Sequence, residues 1–504
     1  MTVFKLEDLF HRLRNGHMLV TGNNRLARVI SGQYSQWQQG QGERQWASPA
    51  LLSWPAWLDR LWEKATLAGA DGTALAVPST RQLNSLWEQV LAQADNTANL
   101  LRPESLAEQA RETRRLAVEW QIDFTDPAWR SEGELDNEKA FQEWNRSFER
   151  LCRTEGWLPP EDREAVLIRM IKAGGLLPES PVDLLGFDEF TPAQVSLLRS
   201  LEHVAADITH LSLEAAPGSA VLWQSRNAQD ELQHMARWVR HRYENDPESR
   251  IAVIVPELGV RRAEVERHLE EALTPGPRRA RAYWKPWNVS LGAPLANEPL
   301  IRSAFDVLEL LGSRVDIQTV GRVLRSPWIR GGVSERDPRA LLEKCLREHY
   351  PRQVSLSEIA YRAGEIRKHD RRRQPLPESE WEARPWQCPI LKRLLNDLQA
   401  FARDRGQPGA PSGWADAFER LLNRMGWPRR PGQELAAVTP AEHDRNWQAY
   451  QHWQDALREL ASLDATVGRM SREKAMAQLR RICQDQVFQP RTAPLAAEEP
   501  TVDL

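Results

Sequence analysis

The sequence predicts an α/β protein in which short parallel strands carry long helical stretches, and three observations predict it. Apolar runs of strand length occur at His17–Thr21, Val182–Phe187 and Ile208–Leu213. Helical periodicity fills nearly the whole interval between the first two. Beyond Ser219, short apolar runs alternate with helical patterns of about 10–15 residues, the arrangement of a parallel sheet with crossover helices.

Taken in order, the first domain is expected over 1–215, with a helical insertion over about 40–175. Within the insertion Trp54, Trp57, Leu58, Leu61 and Trp62 recur at i, i+3, i+4, i+7 and i+8, the stripe of a helix turned toward a core. Ser79–Val90 opens on a capping residue ahead of an apolar period. In Glu138–Cys152 the residues Phe141, Trp144, Phe148 and Leu151 keep helical spacing. The acidic run at 134–143 reads as a solvated face. A second α/β unit is expected over 216–298, with strands at Val221–Gln224, Ile251–Pro256 and Asn288–Leu291 and helices at Asp230–Tyr243 and Val260–Leu273. A helical domain follows over 299–490, including Ile301–Leu311 and Trp447–Leu463. The tail 491–504 is too poor in apolar periodicity to fold alone and is expected to be disordered. No repeat of fixed period is evident.

Composition bounds the function. The chain has 504 residues and a formal net charge of −3, so nothing in the bulk charge draws it to DNA or a membrane, and any nucleic-acid surface must be local. Cys152, Cys345, Cys388 and Cys483 lie far apart with no C-x-x-C, which argues against a disulfide framework or a zinc site. No stretch of about 18 apolar residues exists, and the N-terminal MTVFKLEDLFHRLRNG is interrupted by charges, so a cytoplasmic protein is expected.

Leu184–Gln194, LLGFDEFTPAQ, looks like the second nucleotide-site strand of a P-loop motor. In such a motor Asp188 would hold the Mg²⁺ water shell and Glu189 would polarise the attacking water. Both roles need a phosphate cradle. The place for one is the turn in His17–Ile30, but a working cradle reads G-x-x-x-x-G-K-[ST]. Here Gly22 is followed by Asn23, Asn24, Arg25, Leu26, Ala27 and Arg28, without the second Gly, the Lys or the hydroxyl. Arg25 or Arg28 would be the remaining phosphate contacts at a helix N-terminus. The alternative is an ordinary strand, turn and Asn-capped helix. Mg and ATP are expected only if this degenerate site functions.

For nucleic acid, the candidates are Arg367, Lys368, Arg371, Arg372 and Arg373 in EIRKHDRRRQPLPE, read otherwise as a solvated basic loop between helices. A second patch is Arg278, Arg279 and Arg281 beside Trp284 and Trp287, where the indoles would stack on bases or plug a domain edge. A nuclease centre needs an Asp on one strand and Glu-x-Lys or Asp-x-Lys on the next. Glu43–Arg44, Glu138–Lys139 and Glu473–Lys474 all lack that strand context. No G-x-S-x-G elbow is present.

The order of GNNRLA, the segment Trp54–Trp62, GFDEFTPAQ, the helix at Asp230–Arg240, IAVIVP, APLANEPLIRSAFDVLELL and LRSPWIRGG resembles a bacterial DNA-repair family. It is the AddB/RexB-like group of inactivated superfamily I helicases carrying a PD-(D/E)XK nuclease. The resemblance covers roughly residues 15–335; single motifs are weak and their shared order is the specific part. It implies two RecA-like, P-loop helicase-like lobes with large helical insertions, the second lobe incomplete, and a helicase–nuclease partner subunit. It also implies an ATP-dependent helicase/exodeoxyribonuclease activity for the family, and a chain that stops near VFQPRTAP before the nuclease. The expectation for this chain is a DNA-binding scaffold with a degenerate ATP site and no nuclease centre. The alternatives are an active DNA-dependent ATPase, or a protein-interaction module without DNA binding.

Overall fold

A computed structural model describes residues 2–70, 75–94, 103–123, 136–174, 176, 181–204, 206–213, 218–246, 249–274, 287–289, 291–373, 377, 379, 387–404, 407–428, 440–490 and 502–503. The chain divides into two units, Met1–Ala220 and Val221–Leu504. It is mostly helical, with a parallel sheet in the first unit.

The first unit begins with β1 (Thr2–Phe4), α1 (Leu6–Arg14), β2 (Met18–Thr21), α2 (Asn24–Gly40), β3 (Leu51–Ser53) and α3 (Trp54–Leu67). The helical insertion contributes α4 (Thr80–Ala92), α5 (Pro103–Glu119) and α6 (Asp136–Glu155), followed by α7 (Arg163–Lys172). The unit closes with β4 (Val182–Leu185), α8 (Pro192–His203) and β5 (Ile208–Leu213). The strands form one sheet in the order β1-β5-β4-β2-β3, every pairing parallel.

Successive side chains on a strand point to opposite faces, so β2 and β4 each feed two cores. Met18, Val20, Val182 and Leu184 pack with Trp57, Leu61, Leu167 and Leu197 of α3, α7 and α8. Leu19 and Leu185 pack the other way, with Leu9, Ile30 and Tyr34 of α1 and α2. Both strands are buried throughout, as parallel strands covered on two faces must be. The tryptophan stripe of α3 is a packing feature: Trp54, Trp57, Leu58 and Leu61 are all buried. In the insertion, Trp87 and Phe148 stack with centroids 4.3 Å apart. Ser79 caps α4 with a complete capping box to Gln82.

The second unit opens with α9 (Ala228–Asn245), β6 (Ile251–Ala252), α10 (Leu258–Leu273), β7 (Trp287–Asn288) and β8 (Ala293–Pro294). The helical part begins with α11 (Pro299–Glu309), β9 (Val315–Asp316), α12 (Ile317–Arg325), α13 (Arg336–His349), β10 (Gln353–Val354) and α14 (Leu356–Arg373). It continues in helices Pro389–Asp404, Pro411–Arg424, Pro440–Ser462 and Arg472–Asp485, followed by β11 (Val487–Phe488) and β12 (Val502–Asp503). A large core runs through this part, with Trp414, Phe418, Trp453 and Leu460 wholly buried. Buried Glu335 accepts the backbone N–H groups of Ile390 and Leu391 at 2.6 and 3.0 Å, closing the start of Pro389–Asp404.

Several expectations change here. The strand expected at Val182–Phe187 ends at Leu185, because Gly186 turns away with φ +75°. Val221–Gln224 forms no strand, and Ile251–Pro256 is reduced to Ile251–Ala252. Of the tail 491–504 expected to be disordered, only Val502–Asp503 are among the described residues, and they form β12, which lies between β6 and β7 and pairs parallel with both. Composition missed it because a ladder is made by backbone groups, which two residues supply whatever their neighbours are. Val487–Phe488, at the start of VFQPRTAP, pairs antiparallel with β8.

Candidate functional site

The first sheet has one topological switch point. From β2 the chain moves outward to β3, then crosses back to place β4 on the other side of β2 and β5 beyond it. In open parallel sheets, ligands bind outside the carboxyl ends of the strands at such a reversal. Thr21 pairs level with Leu185, so the turn after β2 and the loop after β4 leave the sheet side by side. Gly22, Asn23, Asn24, Arg25 and Arg28 therefore share one end of the sheet with Asp188 and Glu189.

The turn after β2 is short, with only Gly22 and Asn23 separating strand from helix. Gly22 N–H donates to the Leu185 carbonyl at 3.2 Å, and a Cβ at Gly22 would collide with the Gly186 carbonyl. The Thr21 hydroxyl donates to the Asn23 carbonyl at 2.9 Å. Asn23 Oδ1 accepts the Leu26 N–H at 2.9 Å, using one of the few first-turn donors an anion would otherwise take. Leu26 fills the space over Gly186. A phosphate cradle needs several consecutive N–H groups curled around an anion. Two residues cannot supply them.

The loop after β4 is anchored by aromatic rings. Phe187 and Phe190 stack at 4.7 Å, and both lie against Trp54, at 5.8 and 6.5 Å. Between them Asp188 and Glu189 are exposed, beyond a glycine turn rather than at the strand's last residue. Thr191 then caps α8 with a capping box to Gln194. Arg25 and Arg28 are exposed, and among the described residues no ion pair joins any of these four charges.

Sequence reasoning passed over the buried carboxylate of this sheet, Asp183 in β4. It accepts from Arg12 Nε at 2.8 Å and Nη2 at 2.5 Å, and His17 Nδ1 lies 3.3 Å away. The hydrogen bond to Asp183 raises the Arg12 pKa. The available signal was a lone acid inside an apolar strand, VDLL. These residues stand at the amino ends of the strands, opposite the switch point, and brace α1 to the sheet.

Other expected sites are placed or left aside. Arg278, Arg279, Arg281 and Trp284 lie outside the described residues, while Trp287 is buried in β7, a packing position. Arg367, Lys368, Arg371, Arg372 and Arg373 belong to α14 and not to a loop. Glu138 lies in α6 and Glu473 in helix Arg472–Asp485, neither beside a strand acid. No group of three or more His, Cys, Asp or Glu able to hold a metal occurs among the described residues. The four cysteines are buried free thiols. Burial pushes Cys152, Cys388 and Cys483 up to about 12, so these three are not thiolate nucleophiles near neutrality. A cavity of about 300 Å³ in the second unit is lined by Arg302, Arg322 and Arg480, of which Arg322 pairs with Asp306 and Arg480 with Glu309. Among the described residues no helix is long and apolar enough to cross a membrane.

No protein-family model matches the chain. No curated protein matches it significantly.

Proposed function

We propose that this chain is a DNA-binding, helicase-like scaffold of the AddB/RexB-like repair class that its motif order resembles, working beside a motor subunit and not hydrolysing ATP itself. On this reading β1 to β5 form the first RecA-like lobe, and α9 to β7 with β12 belong to the second. The observation that carries the proposal is the closed two-residue turn at the switch point. Asp188 and Glu189, the acidic pair of a motor, stand at the same end of the sheet, while Asn23 holds the Leu26 N–H and the Leu26 side chain lies over Gly186. The basic run on α14 supplies the DNA contact, and about four phosphates engaged together give a log–log salt slope near −0.7 for each on single strands.

The test is fluorescence anisotropy of a labelled single-stranded oligonucleotide across a salt series, with and without Mg-ATP. Salt-dependent binding that ignores Mg-ATP is expected. Absence of binding at low salt would replace the scaffold with a protein-interaction module. A second reading, an active DNA-dependent ATPase, draws on the exposed, unpaired Arg25 and Arg28 on the same end of the sheet as the acids. It requires DNA-stimulated turnover in the unmodified chain that is lost in Arg25→Ala combined with Asp188→Asn.

A further inference from the structure

The exposed face of α9 carries side chains that a solvated helix rarely shows. Its core face is formed by Leu232, Ala236 and Val239, all buried. One helical turn apart on the opposite side stand His234, Trp238 and Arg242. Trp238 is 50 % exposed although tryptophan is on average one of the more buried residues. The Arg242 guanidinium lies over its indole, 5.8 Å from the centroid. The extended segment before the helix adds a second indole to the same side: Trp223, 68 % exposed, stands 5.1 Å from the His234 ring. Trp223, His234, Trp238 and Arg242 therefore run as one ladder of π faces closed by a cation.

At the start of the helix the Asp230 carboxylate lies 3.4 Å from His234 Nδ1, and beyond it the charge has one sign. His234–Tyr243 contains Arg237, Arg240 and Arg242 and no acid. Arg240 pairs with Glu244 at 2.8 Å, while Arg237 and Arg242 are exposed and form no ion pair among the described residues. Exposed indoles with interleaved arginines are what an unpaired strand requires: each base offers a π face and each linkage an anion. A folded protein partner would match the aliphatic neighbours Val221 and Leu222 but would leave Arg237 and Arg242 to be desolvated without a counter-charge.

We infer that Trp223, His234, Trp238 and Arg242 form a stacking platform for unpaired nucleic-acid bases, with Arg237 meeting the backbone. This deepens the DNA-binding reading above and rests on it. The platform is separate from the basic run on α14 and makes a different demand on the ligand: bases, not phosphates alone.

The experiment uses the full chain and two labelled strands of equal length and charge, one of thymidines and one of abasic spacers. The unmodified chain is expected to bind the thymidine strand the more tightly. Trp223→Ala combined with Trp238→Ala should weaken that binding about tenfold or more. Abasic affinity and the salt slope should stay unchanged, because no phosphate contact is removed. Trp238→Phe, which keeps a π face, should recover most of the loss. If the double variant keeps its circular dichroism and melting profile and binds thymidines as before, the platform is overturned and the DNA reading stands. If the unmodified chain binds neither strand at low salt, both fall. If the double variant instead abolishes self-association in analytical ultracentrifugation and leaves DNA binding intact, the face is a contact between copies and the inference is overturned.

Discussion

The two parallel sheets of this chain are written in the same alternation of apolar strand and amphipathic helix, yet they bury their strands to different degrees. In the first, β2 and β4 lie inside a five-stranded sheet with helices on both faces, and every residue of both strands is buried. In the second, β6, β12 and β7 hold two residues each. Ile254, two residues past β6, is 90 % exposed, and Val221 and Leu222 stand at 86 % and 98 %. Burying a Val, Leu or Ile side chain stabilises by roughly 1.5–3 kcal/mol. An apolar strand pattern delivers that gain only where neighbouring strands and covering helices exist. The pattern states what a strand needs, and the sheet decides whether it is met.

Four substitutions break or sharpen this contrast. The largest effect belongs to Trp57→Ala, which empties a wholly buried site under the first sheet and should cost about 3–5 kcal/mol in chemical denaturation monitored on the first unit. Gly22→Ala drives a Cβ into the Gly186 carbonyl and should cost about 1–3 kcal/mol; a neutral result would mean that the turn opens readily enough to admit an anion. Asn23→Ala removes the cap on Leu26 N–H and should cost about 1 kcal/mol, read in the same denaturation curves. The smallest effect is expected in the second sheet, where Ile254→Ser should change stability by no more than about 0.5 kcal/mol and improve solubility. An Ile254→Ser cost comparable to that of Trp57→Ala would erase the distinction between the two sheets.

How far the sequence revealed this follows the same physics. Ile208–Leu213 and the helices around Asp230–Tyr243 and Val260–Leu273 were legible because their periodicity is set by packing that the structure supplies. β1 and β3 were not: each is three residues long, and Leu51–Ser53 runs straight into the tryptophan stripe of α3. Val221–Gln224 was overread, since among the described residues no strand pairs with its apolar run. At the candidate site the missing Lys and hydroxyl were plain in the letters. The closure of the turn was not, because it depends on Gly186, which meets Gly22 and Leu26 only in the fold. The ladder on α9 was invisible for a related reason: a tryptophan in a helix reads as core until its exposure is known.

The pairing of β12 between β6 and β7 imposes an order of assembly during synthesis. Ile251 must wait for Val502, roughly 250 residues later in the chain. At about 5–20 residues per second that is a delay of some 12–50 s on the ribosome. The first sheet has all its strands once Leu213 has emerged. For that interval the nascent chain carries a finished first sheet followed by strand edges at β6 and β7 that β12 has not yet paired.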